Sequence, residues 1–296
     1  MFIPLHDANR LRHIRLQYVT LGLILVNCAI WLLFGTTALG DGESVRASIA
    51  SYGFIPAVAT GHETLPASLY RVPAVATYVT YAFLHSDFMH LAGNMLFIWV
   101  FGDNVEDAMG HLKYLVFFLA CAAAGAATHA FVQPLSVSPL IGASGAAAGV
   151  ITAYMILHPR VKVWILALGR IPLRLSALWV AGAWIAFQIY NFVSTEGDSV
   201  SWAAHVGGIV AGIVLLPLLK RRDAKMFDFT PVEETIPPIP PPSVPQDSLP
   251  GGAPAPQDEA GSGPWSGPGA RRREPAEDDT PQTANGPWGR QPGGRR

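Results

Sequence analysis

Six apolar stretches, at about 16–34, 86–103, 112–132, 142–158, 175–194 and 201–219, constrain this chain more than any other feature. A helix that crosses a bilayer needs roughly 20 mostly apolar residues, and each stretch comes near that length. The fourth is short and the second carries polar residues. A further stretch, 161–171, is apolar but broken by Arg170 and Pro172, and reads as an interfacial connector. Only 14% of the residues are charged, against about 25% in a soluble domain. The expected fold class is an all-α polytopic membrane protein with six transmembrane helices. The first run has no small-residue cleavage site and reads as a retained span.

The chain divides by composition into an N-terminal segment 1–15, a membrane domain 16–222 and a tail 223–296. Of the 25 prolines, 16 lie at or beyond Pro231. A tail so rich in Pro, Gly, Ser and charge cannot bury enough apolar surface to offset ordering, so disorder is expected there. Its run Pro237–Pro242 suits a polyproline-binding groove, and the plainer expectation is a solvated linker. No tail-binding partner is identified. Cys28 and Cys121 each sit in an apolar run, which argues against a disulfide framework. The net charge of -1 argues against nucleic acid as a partner.

Lys and Arg set orientation through their excess on the cytoplasmic side. Arg10, Arg12 and Arg15 precede the first span, Arg160, Lys162, Arg170 and Arg174 separate the fourth and fifth, and Lys220, Arg221, Arg222 and Lys225 follow the sixth. The loop 35–85 has only Arg46 and Arg71. Both termini are therefore expected on the cytoplasmic side. The second, fourth and sixth spans then start in the same outer leaflet.

Polar residues inside spans are costly and are functional candidates. Three groups stand near the starts of the even-numbered spans: His85, His90 and Asn94; Ser144; and His205. Ser144 lies in Gly142-Ala143-Ser144-Gly145, where a helix start would offer free backbone N–H groups to an oxyanion. Gly145 and Gly149 form one small-residue face, and Gly208 and Gly212 another. If these faces pack together, His205 approaches Ser144 and can serve it as general base. His90 and Asn94, four residues apart, share a helix face and can donate to developing negative charge. The plainer readings are a packing serine, a bundle histidine bonded to a carbonyl, and a polar pair that staples two helices. Zinc on His85, Asp87 and His90 lacks a completing ligand nearby, so no metal or other cofactor is expected.

Together these blocks resemble the rhomboid intramembrane serine proteases over about Tyr78–Leu219. The blocks are His85 through Asn94, Gly142 through Gly145, and Ala204 through Gly208 with Gly212, in the family's order. The resemblance implies a six-helix rhomboid-like bundle, a Ser144–His205 dyad, and an oxyanion hole of His90, Asn94 and the Ser144 N–H. It implies supporting roles for His85, Gly142, Gly145, Gly208 and Gly212, and a structural role for Glu106. The fifth span would be the lateral gate. The substrates would be single-pass or other transmembrane proteins met within the lipid bilayer. The expected location is a bacterial plasma (inner) membrane. Two departures stand out: Ala76 and Thr77 replace a Trp-Arg pair of the first outer loop, and Ala148 replaces a tyrosine that packs on the histidine. The alternatives are a non-catalytic rhomboid-like client-binding protein, a transporter with a histidine proton path, and a scaffold acting through the tail.

Overall fold

The structure is a computed structural model, and it describes residues 2–7, 9, 11–37, 41–167, 169–194 and 201–228. The expected tail beyond 228 lies outside the described residues. The elements run in the order β1 (Phe2–Asp7), α1 (Tyr18–Ile30), α2 (Gly42–Tyr52), α3 (Pro56–Ala59), α4 (Ala74–Thr80), α5 (Phe88–Met109), α6 (His111–Val132), α7 (Ser144–Leu157), β2 (Lys162–Ala167), β3 (Ile171–Ser176), α8 (Ala177–Ser194) and α9 (Trp202–Leu219). A π-helical turn, Trp31–Gly35, extends α1.

Among the described residues, four helical segments are long and apolar enough to cross a membrane: α1 with its π turn, α6, α8 and α9. The other two expected spans appear as α5 and α7. Helix α5 has 22 residues but carries Asp103, Glu106 and Asp107 in its last turns. Helix α7 has only 14 residues. Large apolar side chains such as Leu25, Phe131, Trp179, Val193, Val214 and Leu218 point out of the bundle. So much exposed apolar surface is a liability in water and costs nothing against lipid tails. The chain is an integral membrane protein.

Helix α7 is the axis of the bundle, touching α5, α6, α8 and α9. Its glycines and alanines explain this, because small side chains let four neighbours approach one backbone. A Cβ on Gly149 would lie 2.4–3.1 Å from Cys121 and the Gly208 carbonyl, so no larger residue fits.

The expected all-α class needs correction. A three-stranded antiparallel sheet, in the order β1-β2-β3, joins the N-terminal segment to the connector between α7 and α8. The expected interfacial stretch is thus mostly one arm of a hairpin that turns near Gly169 (φ +69°). Val163 and Ile165 alternate inward, but Trp164 between them and Leu166 after them are apolar too, so the strand period is hidden in the sequence.

The end of the bundle that carries this sheet is held by the last turn of α5. Glu106 accepts hydrogen bonds from the Val19 N–H (3.0 Å), the Thr20 N–H (2.8 Å) and the Thr20 hydroxyl (2.6 Å), and also meets His111 Nδ1. The first N–H groups of a helix have no partner within it, so Glu106 caps α1 from a neighbouring helix. Asp107 accepts the backbone N–H groups of Arg12, His13 and Ile14 at 2.6–3.0 Å. Residues 223–228, part of the expected tail, return to the bundle, where the Phe227 and Asp228 N–H groups bond the Ile156 and Leu157 carbonyls.

Candidate functional site

At the opposite end, the chain descends toward Ser144 along the segment Pro139–Gly142. Backbone this deep must have its hydrogen bonds satisfied. Leu140 exchanges two with Phe54 (2.7 and 3.0 Å), and the Gly142 N–H donates to the Tyr81 carbonyl at 2.9 Å. The loop between α1 and α5 therefore supports the descent. The Tyr81 hydroxyl donates in turn to the Ala122 carbonyl on α6 at 2.8 Å. Thr80 donates to the Tyr52 carbonyl at 2.6 Å. These contacts seat the loop where Ala76 and Thr77 stand; Thr77 itself is buried and bonds the Ala74 carbonyl.

Gly142 has φ +114°, a region that disfavours side chains. A Cβ there would also lie 2.6 Å from His90 Nε2 and 3.6 Å from Asn94 Nδ2. The bare glycine thus leaves room for the two polar side chains that α5 presents just before Ser144. Asp87 caps α5 by accepting the His90 N–H at 2.9 Å, which fixes where this helix starts. The Ser86 hydroxyl lies 2.7 Å from Asp87 Oδ2 and 3.1 Å from His90 Nδ1. It has one proton to give, so the state of His90 follows which of the two receives it. Asn94 is buried, and its Nδ2 has no hydrogen-bond partner among the described residues. His85 lies behind His90, ring centroids 5.1 Å apart, and its Nε2 receives a long 3.5 Å contact from the Ala143 N–H.

Helix α7 begins at Ser144 with no side-chain cap. Helix α9 is capped by Ser201, whose hydroxyl accepts the Ala204 N–H at 3.3 Å. Between them the two glycine faces interlock. A Cβ on Gly208 would collide with the Gly145 carbonyl, and one on Gly212 would sit 2.7 Å from the Gly149 carbonyl. On the other side, Gly145 faces the Ala204 carbonyl at 3.2 Å from its hypothetical Cβ. Ala204 precedes His205 and Gly145 follows Ser144, so backbone contact brings these two positions together. No hydrogen bond joins the Ser144 hydroxyl to His205 among the described residues; such bonds tighten when substrate fills a site.

His205 is buried and held from three directions. Its Nδ1 lies 2.8 Å from Gln188 Oε1 on α8. Trp184, one turn earlier on α8, lies 6.2 Å from the imidazole centroid, and Trp202 meets the ring edge-on at 5.8 Å. These three contacts orient the imidazole without a tyrosine at position 148, which is alanine. Sequence reasoning missed Gln188, although an amide within an apolar run is itself a signal.

Residues 72–222 match the family model described as the Rhomboid domain. The chain is 31% identical over 142 residues to Rhomboid protein 1, mitochondrial, of Saccharomyces cerevisiae, covering 45% of this chain and 38% of the yeast protein. It is 32% identical over 164 residues to RHOMBOID-like protein 12, mitochondrial, of Arabidopsis thaliana, covering 49% and 47%. It is 30% identical over 138 residues to Rhomboid-like protease 3 of Toxoplasma gondii, covering 47% and 49%. The chain thus spans about half or less of the length of these relatives. Two of the names place those proteins in mitochondria, in contrast to the expected bacterial plasma membrane.

Proposed function

Since the chain belongs to the rhomboid family, we propose that it is an intramembrane serine endopeptidase. It cuts a peptide bond in or near the transmembrane segment of other membrane proteins. The observation that carries this reading is the interlock of Gly145 and Gly149 with Gly208 and Gly212, which brings the Ser144 and His205 positions together. Helices α5 and α7 complete a set of six crossings, with both termini cytoplasmic, as the Lys and Arg distribution supports. The expected bacterial plasma membrane and the organelle membranes named for the relatives pose the same chemical problem.

The chemistry follows from the groups present. The Ser144 oxygen attacks the scissile carbonyl carbon while its proton passes to His205 Nε2. The carbonyl oxygen becomes an anion within reach of the Ser144 N–H, at an uncapped helix start whose dipole favours negative charge. Asn94 Nδ2 is a second donor, already desolvated and without another partner among the described residues. His90 is a third when Ser86 donates to its Nδ1 and leaves the proton on Nε2. Collapse of the intermediate breaks the C–N bond, and His205 returns its proton to the leaving amine. Water then repeats the attack on the acyl-serine and frees the enzyme. His85 supports His90 from behind, and Gly142 keeps the donors clear. The steps need no metal or cofactor.

The test compares purified wild type with Ser144→Ala on a generic transmembrane substrate in detergent or liposomes. Cleavage by wild type and background with Ser144→Ala is the expected result. Equal cleavage by both proteins, free of contaminating protease, would overturn the reading in favour of a client-binding protein.

A further inference from the structure

Among the described residues, the amide of Gln188 is the one polar side chain that α8 buries against another helix's catalytic candidate. It is 3% exposed. Its Oε1 lies 2.8 Å from His205 Nδ1. Burying a primary amide in an apolar bundle is unfavourable unless it is hydrogen-bonded, so this position is not explained by packing. Trp184 and Gln188 are four residues apart and therefore share one face of α8. That face supplies both a wall and an acceptor to the same imidazole.

We propose that Gln188 is a positioning residue that orients His205 and selects its tautomer, on the reading that Ser144 and His205 form the catalytic pair. An amide oxygen only accepts. Facing Nδ1, it requires the imidazole proton there, which leaves the Nε2 lone pair free to take the serine proton. When that proton arrives, the carbonyl dipole of Gln188 stabilises the imidazolium through its Nδ1–H. The amide thus does, without a charge, what a third carboxylate does in a serine triad. A neutral acceptor also avoids placing a fixed anion in the bundle, where desolvation is costly. Because the acceptor is on α8 and the base on α9, a competent base requires these two helices to be in register.

The test uses the full-length protein in detergent, with Gln188→Met as a near-isostere without an acceptor and Gln188→Glu as one that keeps it. We expect Gln188→Met to lower kcat tenfold or more with KM within twofold, and to slow fluorophosphonate labelling of Ser144 by a similar factor. Gln188→Glu should stay within fivefold of wild type. Added to His205→Ala, Gln188→Met should cause no further loss, because a positioning residue has nothing left to position. Wild-type kcat in Gln188→Met, equal impairment of both variants, or a further loss on the His205→Ala background would overturn the proposal. If Gln188→Met does not fold, Gln188→Glu decides: turnover within fivefold of wild type supports the role, and a larger loss overturns it. Failure of the underlying reading is distinct, since it would show as cleavage by Ser144→Ala itself.

Discussion

Toward the start of α5, Asn94 holds a buried donor with no partner among the described residues, and His90 faces the space left by Gly142. At its end, Glu106 and Asp107 have their oxygens occupied by the N–H groups of Val19, Thr20, Arg12, His13 and Ile14. One helix therefore carries an unsatisfied polar end and a saturated one. A buried polar group without a partner weakens a fold, and its persistence is explained if a partner arrives with substrate. The occupied cluster ties the N-terminal segment to the bundle. On the proposed reading, the contrast on α5 matches chemistry to one end and cohesion to the other.

The largest expected effect is at the unsatisfied end. His205→Ala should reduce cleavage to near background, with a drop in thermal midpoint smaller than that of Glu106→Ala, because it leaves a cavity and the Gln188 amide without its partner, and combination with Ser144→Ala should add nothing to the loss of cleavage. A large drop in the midpoint would mean that His205 holds the bundle together and would blur the contrast. The opposite pattern is expected at the saturated end. Glu106→Ala strips the cap of α1 and strands buried donors, a loss on the order of 3 kcal/mol. It should lower the midpoint strongly while molecules that remain folded retain their turnover. Loss of turnover without loss of stability would break the division between the two ends.

Asn94→Ala sharpens the comparison further. Removing one oxyanion donor costs about a hundredfold in turnover at the lower end of known cases. The thermal midpoint should hold or rise, since the Nδ2 donor removed had no partner among the described residues. His90→Ala should cost less than Asn94→Ala, because His90 donates only in one of its two hydrogen-bonding arrangements. Full turnover in both variants would remove the proposed hole.

The smallest effect concerns Asp7, on β1 at the saturated end. Its carboxylate accepts the Tyr154 hydroxyl at 2.6 Å and Asn104 Nδ2 at 3.0 Å. Burial nevertheless raises its pKa from 3.8 to about 6, the hydrogen bonds offsetting only part of the desolvation. A carboxyl raised in the folded state favours folding while protonated, and that contribution is lost as pH rises through about 6. Between pH 5 and pH 8 the folded state should lose about 1.4 kcal/mol from this group. Asp7→Asn keeps an acceptor and lacks this dependence, so its stability advantage should widen by that amount over the same range. An advantage that stays constant with pH would mean that Asp7 is ionised throughout.

The positions of Ser144, His205, His90 and Asn94 were legible because each breaks an apolar run near a helix start, and such breaks are costly without a use. The glycine faces were legible because small residues spaced four apart have few other purposes in a span. The same pattern placed the ends of most long helices within a few residues, as with 112–132 against His111–Val132 and 175–194 against Ala177–Ser194. Beyond these local regularities, tertiary structure decided the rest. The sheet pairs residues 2–7 with 163–167, and strand pairing across so long a separation leaves no periodic mark on either segment. The Glu106 cap and the Gln188 acceptor depend on which helix lies beside which. Apolarity sorts residues between lipid and bundle by their own chemistry. The partner of a particular hydrogen bond is set only when separate helices pack.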